Sequence, residues 1–323
     1  MAIHPLLEIR HLSVSYQNST GTVRAVRDVS MQIFAGETLA LAGETGSGKS
    51  TLALALLGLF DRQLRLDTGE IFFEGRNLRL IRDHEWKRIR SRKIGAVFQD
   101  MRSALNPVIS IGDHLTETIR AHQALSKREA RARALELLKE VGIPEDRYHM
   151  YPFEISGGEC QRVGIALGIC NHPRLLIADE PTSSVDLVLQ TQIINLLRTM
   201  KQQHGLTLLM ISHDLPLISS ISDRAAVMYH GAIVEIGPSS TVLKTPAHPY
   251  TAGLIESQPD MFHHHEIKPL AAVAGCAPRS GEDVPGCAFA PRCTDRLPQC
   301  SSSIPVLREI SDHHWVACFK HHA

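Results

Sequence analysis

The apolar residues of this chain change their spacing several times, and each change marks a different kind of element. "LLEIRHLSVSY" (residues 6–16) and "AVRDVSMQIFAGETLALAG" (residues 25–43) alternate in part between apolar and polar positions, with turn residues at "QNSTGT" and "AGE". That period of two predicts strands, and "GEIFFEG" and "KIGAVFQ" predict further short ones. From about residue 100 to residue 170 the pattern turns helical. Ser126 with Glu129 makes a capping box, Ala134, Leu137, Leu138 and Val141 form one apolar face, and Gly142 and Pro144 end that helix. "RLLIADE" predicts a buried strand, "VLQTQIINLLRTMKQQHG" an amphipathic helix stopped by Gly205, and "LTLLMISHD" another apolar strand. Strand, helix and strand in this order predict a parallel sheet covered by helices. From about Pro259 onward the chain is rich in Pro, Gly, His and Cys with little periodicity, which predicts a small appended domain.

With 323 residues there is room for one large domain and an appendage. Lysine plus arginine number 34 and aspartate plus glutamate also 34, so no overall field favours nucleic acid or an acidic membrane surface. The basic runs "EWKRIRSRK" and "SKREARARALELLKE" are interspersed with acids or lie beside a helix pattern, as solvated faces are. No stretch reaches the roughly 18 to 20 uncharged apolar residues that span a bilayer. The start, "MAIHPLLEIRHLSVSY", lacks the plan of a signal peptide. These features predict a cytosolic chain that, if it serves a membrane process, docks on other subunits.

One apolar strand breaks into "GETGSGKST" and gives way at once to a helix. Gly43, Glu44, Thr45, Gly46, Ser47, Gly48, Lys49 and Ser50, followed by Thr51, fit the phosphate-loop pattern. Its glycines let consecutive backbone N–H groups turn toward phosphates, with the positive end of the next helix behind them. Lys49 is expected to reach the β- and γ-phosphates of ATP and the Ser50 hydroxyl to coordinate Mg²⁺. In "LLIADE", Asp179 ends a strand where it can hold Mg²⁺, and Glu180 follows it, able to orient and deprotonate an attacking water.

"ISGGECQR" (residues 155–162) opens a helix with Ser156, Gly157 and Gly158, and here the sequence resembles the ATP-binding cassette family. Further landmarks follow in order: Tyr16 as the aromatic that stacks on adenine, Gln99 in "VFQD" as the Q-loop, Asp186 in "SSVD" as the D-loop, and His213 in "MISHD" as the switch histidine. The resemblance covers roughly residues 5 to 250. It implies an α/β P-loop NTPase cassette over 1–250, with a mixed sheet core, an antiparallel β subdomain and a helical subdomain at about 100–167. It also implies that Ser156, Gly157 and Gly158 grip the ATP of a partner cassette, that Gln99 joins Ser50 and Asp179 at Mg²⁺, and that Glu180, Gln99 and His213 serve hydrolysis. The sequence departs from the pattern at Glu159, where many members carry Gln or Met, at "TSSVD", and at Asp100–Met101 after Gln99. An acid at Glu159 beside a neighbouring phosphate would weaken closure modestly unless it points to solvent.

"TPAHPYTAGLIES" (residues 245–257) looks like the segment that closes the cassette in ATPases of oligopeptide, dipeptide and nickel importers. "GCAFAPRCTDRLPQC" and "WVACF" resemble their cysteine-bearing extension, here 251–323. Together they imply a peripheral subunit on the cytoplasmic face of a bacterial inner membrane. It would be paired with two membrane-spanning permease subunits and a second, related cassette chain, and indirectly with a solute-binding protein. Cys287, Cys293, Cys300 and Cys318 have five, six and seventeen residues between neighbours. Disulfides do not suit a cytosolic ATPase. Four thiolates fit tetrahedral zinc or an iron–sulfur cluster, though zinc pairs usually stand closer in sequence; plain buried thiols are the third reading. The resemblance implies a four-iron, four-sulfur cluster. Cys276 reads as a bystander and Cys160 and Cys170 as packing residues. The histidine groups at 263–265, 313–314 and 321–322 read as a solvated tail.

Overall fold

The computed structural model describes residues 4–19, 21–60, 63–183, 185–258, 275–279 and 281–321. In chain order its elements begin with β1 (Leu7–Asn18), β2 (Gly21–Ile33), β3 (Thr38–Ala42), α1 (Lys49–Leu56), β4 (Leu64–Phe73) and β5 (Arg76–Asn77). There follow α2 (Asp83–Ile89), β6 (Ile94–Val97), α3 (Met101–Ala104), α4 (Ile111–His122), α5 (Lys127–Glu140) and α6 (Gly157–Ile169). Next come β7 (Leu175–Asp179), α7 (Leu187–His204), β8 (Thr207–Ile211), α8 (Leu215–Ile221), β9 (Arg224–Tyr229) and β10 (Ala232–Pro238). The remainder is α9 (Ser239–Lys244), α10 (Pro249–Glu256), β11 (Arg308–Ser311) and β12 (His314–Val316). These fall into two compact units, residues 1–34, 38–79 and 212–323 in one and 35–37 and 80–211 in the other.

In the first unit an antiparallel sheet runs β2-β1-β4-β5. A second row of strands runs β11-β12-β10-β9-β3, in which β3 and β9 are parallel and the other pairs antiparallel. β3 is buried along its whole length, as a strand covered on both faces must be. One core cluster joins Ala40 and Ala42 of β3 to Val227 and Tyr229 of β9, Val242 and Leu243 of α9, Tyr250 of α10, and Phe289. Cys287 and Cys293 pack against it, so the cysteine-bearing segment shares this core.

The second unit holds the parallel strands β8-β7-β6 and the helices α2 to α7. The α5 box forms as its sequence dictates: Glu129 N–H donates to Ser126 Oγ at 3.3 Å, and Ser126 N–H donates to Glu129 Oε2 at 2.8 Å. Ala134, Leu137, Leu138 and Val141 are all 0% exposed. Each leucine buried there contributes about 1.5–3 kcal/mol relative to exposure. Gly142, at φ +73°, releases the chain from this helix, and Gly205, at φ +61°, does so after α7.

One expectation needs correction. In the stretch of little periodicity beyond residue 259, β11 and β12 form a hairpin whose inner strand pairs with β10 through Glu235–Val316 and Ile236–Trp315. The hairpin takes His314 out of any solvated tail: it is 3% exposed, with its Nε2 2.8 Å from Glu235 Oε1. His313 remains exposed, whereas His263–His265 and His322 lie outside the described residues.

Candidate functional site

The first unit carries the phosphate loop between β3 and α1. Gly43 has φ +149° and Gly48 φ +105°, conformations that L side chains rarely adopt. A Cβ on Gly43 would meet Met228 O at 2.2 Å, and one on Gly48 would meet Ala25 O at 2.2 Å. Glycine is therefore required at both positions by backbone shape and by close approach. Lys49 is 5% exposed, with its Nζ donating to Gly43 O at 2.8 Å and Glu44 O at 2.9 Å. Ser47 Oγ lies 3.4 Å from the same Nζ. Thr45, Gly46 and Ser50 are exposed. Tyr16, on β1, has its hydroxyl 3.2 Å from Thr51 Oγ1 on α1, which puts the expected adenine platform beside the helix that begins at the loop.

His213 is exposed on the turn before α8, a turn fixed by Asp214 N–H donating to Ser212 Oγ at 3.0 Å and Leu217 N–H donating to Asp214 Oδ1 at 3.0 Å. An open cleft of about 400 Å³ is lined by Gly43, Glu44 and Thr45 together with His213, Leu215, Leu254, Ser257 and Gln258. The fold thus brings the expected switch histidine to the mouth of the phosphate loop.

The second unit carries the acidic pair. β6 and β7 are parallel neighbours in which Val97 faces Ala178, so Gln99, two residues past β6, and Asp179, the last residue of β7, stand at the carboxyl ends of adjacent strands, where open α/β sheets hold ligands. Glu180 has φ +45°, with its N–H donating to Ile211 O at 2.9 Å. Its carbonyl accepts from Ser183 N–H at 3.2 Å and from Ser183 Oγ at 3.1 Å. Asp186 caps α7, accepting from Leu189 N–H at 2.9 Å.

Ser156 is the N-cap of the 13-residue helix α6, Gly157 faces open space, and a Cβ on Gly158 would stand 3.1 Å from Leu189. Glu159 does not point to solvent. Its Oε2 accepts from Ser156 N–H and Ser156 Oγ, each at 2.8 Å, and its Oε1 accepts from Arg147 Nε at 3.1 Å. Burial pushes the Glu159 carboxyl up, but the bonds from Ser156 and Arg147 win and hold it below its ordinary range. The capping-box spacing that reveals α5 is equally present in Ser156-x-x-Glu159 and could have shown this contact in advance.

Cys287, Cys293, Cys300 and Cys318 line one cavity in the first unit, with His248, Phe289, Asp295 and Lys320 also on its wall. Burial is the main influence raising the Cys287, Cys293 and Cys318 thiols, and neighbouring cysteines raise each of them further. Among the described residues, the one group of three or more His, Cys, Asp or Glu donors within 4.8 Å of one another is Glu309, Asp312 and His313. The four sulfurs therefore share a cavity without forming a tight quartet. Cys160 is 1% exposed, and burial pushes the Cys170 thiol up to about 11. Arg292, Tyr250 and Glu235, none of them a candidate from the sequence, hold the phosphate loop and the cysteine-bearing segment in ways described below.

The ABC transporter family model matches residues 26–183, and the model for the oligopeptide/dipeptide transporter C-terminal region matches residues 234–300. The chain is 42% identical to a putative peptide import ATP-binding protein of Brucella abortus (strain 2308), covering 94% of this chain and 91% of that one. It is 39% identical to another of the same description from Brucella melitensis biotype 1, covering 99% and 98%. A solved dimeric ATP-binding cassette in a post-hydrolysis state, bound to ADP and Pi, superposes with a TM-score of 0.66 at 28% identity, over 72% of this chain and 98% of that one. The cbiO1 chain of Clostridium perfringens, part of an ABC transporter complex, gives a TM-score of 0.64 at 28% identity over 75% and 91%. With its phosphate loop, strand-end acids and helix-capping Ser-Gly-Gly in place on this fold, the chain belongs to the ABC transporter family and is an ATP-hydrolysing cassette.

Proposed function

We propose that this chain powers an importer of peptides or related small solutes, working as a pair of cassettes on the cytoplasmic face of a bacterial inner membrane. The observation that carries the reading is the seat of the His-Pro-Tyr segment. Tyr250 Oη accepts from Glu44 N–H at 2.9 Å, so the hallmark of the peptide-importer C-terminal region is built into the nucleotide loop. Both relatives cited above are described as peptide import proteins. The cassette would occupy 1–250 and the extension 251–323. Among the described residues no helix is long and apolar enough to cross a membrane, so the reading needs two permease subunits. Val108 at 77% exposure and Phe153 at 65%, the latter stacked on Tyr151 at 5.6 Å, give the helical region at about 100–167 an apolar surface for them. A related second chain is the expected partner cassette, and a solute-binding protein the source of the cargo.

In this mechanism Lys49 leaves the carbonyls of Gly43 and Glu44 for the β- and γ-phosphates, and the turned-in N–H groups of the loop hold them. Tyr16 stacks on adenine. The oxygen donors of Ser50, Gln99 and Asp179 suit magnesium, which when bound neutralises charge on the phosphates. Glu180 takes the proton of the attacking water, His213 and Gln99 orient it, and Ser156, Gly157 and Gly158, with Asp186, serve the ATP of the partner cassette.

Cys287, Cys293, Cys300 and Cys318 share one cavity, and their separation bears on which metal centre they could hold. Four sulfurs bound to zinc at about 2.3 Å lie roughly 3.8 Å apart, closer than any three of these four stand. A four-iron, four-sulfur cluster, held by Cys287, Cys293, Cys300 and Cys318, would give structural strength or redox sensitivity to the segment. Anaerobically purified protein should then be brown, with about four irons per chain. Colourless protein with one zinc, or with no metal and an ordered segment, would replace this reading. Reconstitution with its two permeases in vesicles tests the function: ATP-driven accumulation of di- or oligopeptide supports it. Accumulation of nickel or a metal chelate instead moves the chain to the metal branch of the same importers, and ATPase activity without any uptake overturns import.

A further inference from the structure

Glu44 is held at three points. Its N–H donates to Tyr250 Oη, its carbonyl accepts from Lys49 Nζ at 2.9 Å, and its carboxylate is gripped by Arg292. That grip is bidentate, Nη1 to Oε2 at 2.9 Å and Nη2 to Oε1 at 3.0 Å. The Arg292 side chain is 5% exposed, and its guanidinium lies 5.8 Å from the Tyr229 ring centroid and 5.9 Å from that of Phe289. An exposed ion pair is worth little, but a shielded, two-pronged one on an aromatic floor fixes both charge and direction. Hydrogen bonding to Glu44 holds the guanidinium above its already high range, so Arg292 stays charged. Arg292 immediately precedes Cys293 and follows Phe289 in one short helical turn, so the cysteine-bearing segment delivers it.

A carboxylate at the second position of a phosphate loop sets a negative charge beside the place where a triphosphate must enter. We propose that Arg292 is a positioning residue for ATP: it neutralises Glu44 and fixes the carbonyl from which Lys49 swings to the phosphates. The cysteine-bearing segment thereby tunes the affinity of the nucleotide loop. The inference rests on ATP binding at that loop and goes beyond it, because it assigns part of the affinity to a residue 248 positions away.

The test is calorimetric titration of the full chain with MgATP, MgADP and adenosine. Arg292→Met should weaken MgATP binding about tenfold by leaving the Glu44 charge unpaired, MgADP less, and adenosine hardly at all. Glu44→Gln with Arg292→Met should recover most of the lost affinity, since no charge is then stranded. In the assembled complex, Arg292→Met should raise KM for ATP while kcat at saturation holds. Wild-type affinity in Arg292→Met overturns the proposal. So does a double variant as weak as the single, or a loss equal for ATP and adenosine, both of which would mean damage to the extension. A wild-type chain that failed to bind MgATP would instead sink the nucleotide reading itself.

Discussion

Glu180 occupies a conformation that a glutamate seldom takes, and the two bonds from Ser183 and the one to Ile211 hold it there. Such over-determination fits a side chain whose direction matters. Glu180→Gln should leave ATP binding intact and slow hydrolysis by about 10²-fold or more in the assembled complex, read as phosphate release. Near-normal turnover would remove the base assignment. Glu159 acts differently, holding the Ser156 hydroxyl and pairing with Arg147. Glu159→Ala should cost about 1 kcal/mol in denaturant unfolding, the usual worth of a cap. The buried thiols also differ from the exposed one. Brief maleimide treatment of native protein at neutral pH should label Cys276 and spare Cys160 and Cys170, as peptide mapping would report.

At the scale of elements, β10 carries the least obvious of the supports. Glu235 is 0% exposed and accepts from Ala247 N–H at 2.8 Å and His248 N–H at 3.0 Å, with His314 Nε2 also 2.8 Å away. It ties the His-Pro-Tyr segment and the β11–β12 hairpin to one strand. Glu235→Ala should lower stability by about 3 kcal/mol, because buried N–H groups lose their acceptor, and should open the 251–323 region to protease. The elements easiest to read from sequence were those with long repeats of pattern: α5 and α7 declared their faces and stops, and β3, β7 and β8 their buried runs. β11 and β12 did not, because strands of four and three residues are too short to show a period and exist through pairing with β10. α2 was missed for a similar reason, having only Trp86 and Ile89 buried.

At the scale of the whole molecule, Lys49, Asp179, Glu180 and Ser156 lie in short contiguous motifs, which is why the sequence alone offers them as candidates. What braces the phosphate loop comes from far along the chain, as Arg292 and Tyr250 do through Glu44, and no local spacing records that. A cassette's Ser-Gly-Gly is expected to act on its partner's ATP, so Ser156→Arg should abolish ATPase in the assembled complex yet leave nucleotide binding to the isolated chain nearly unchanged. Collapse of that binding would mean that Ser156 serves its own chain.

The pairing of β10 with β12 also sets a timetable for synthesis. His314 lies 79 positions after Glu235, so β10 leaves the ribosome well before its neighbour exists. At about 5–20 residues per second, its outer edge stays bare for some seconds, with a buried-type acid and the apolar Ile233, Val234 and Ile236 on offer to any other strand. The finished hairpin ends that exposure and leaves as its rim only β11, four residues long and mostly exposed, whose Arg308 and Glu309 make a poor template for a second chain. The cysteine-bearing region is thus also the late-arriving cover of a sticky edge, and newly made chains interrupted before residue 314 should be the ones that chaperones retain.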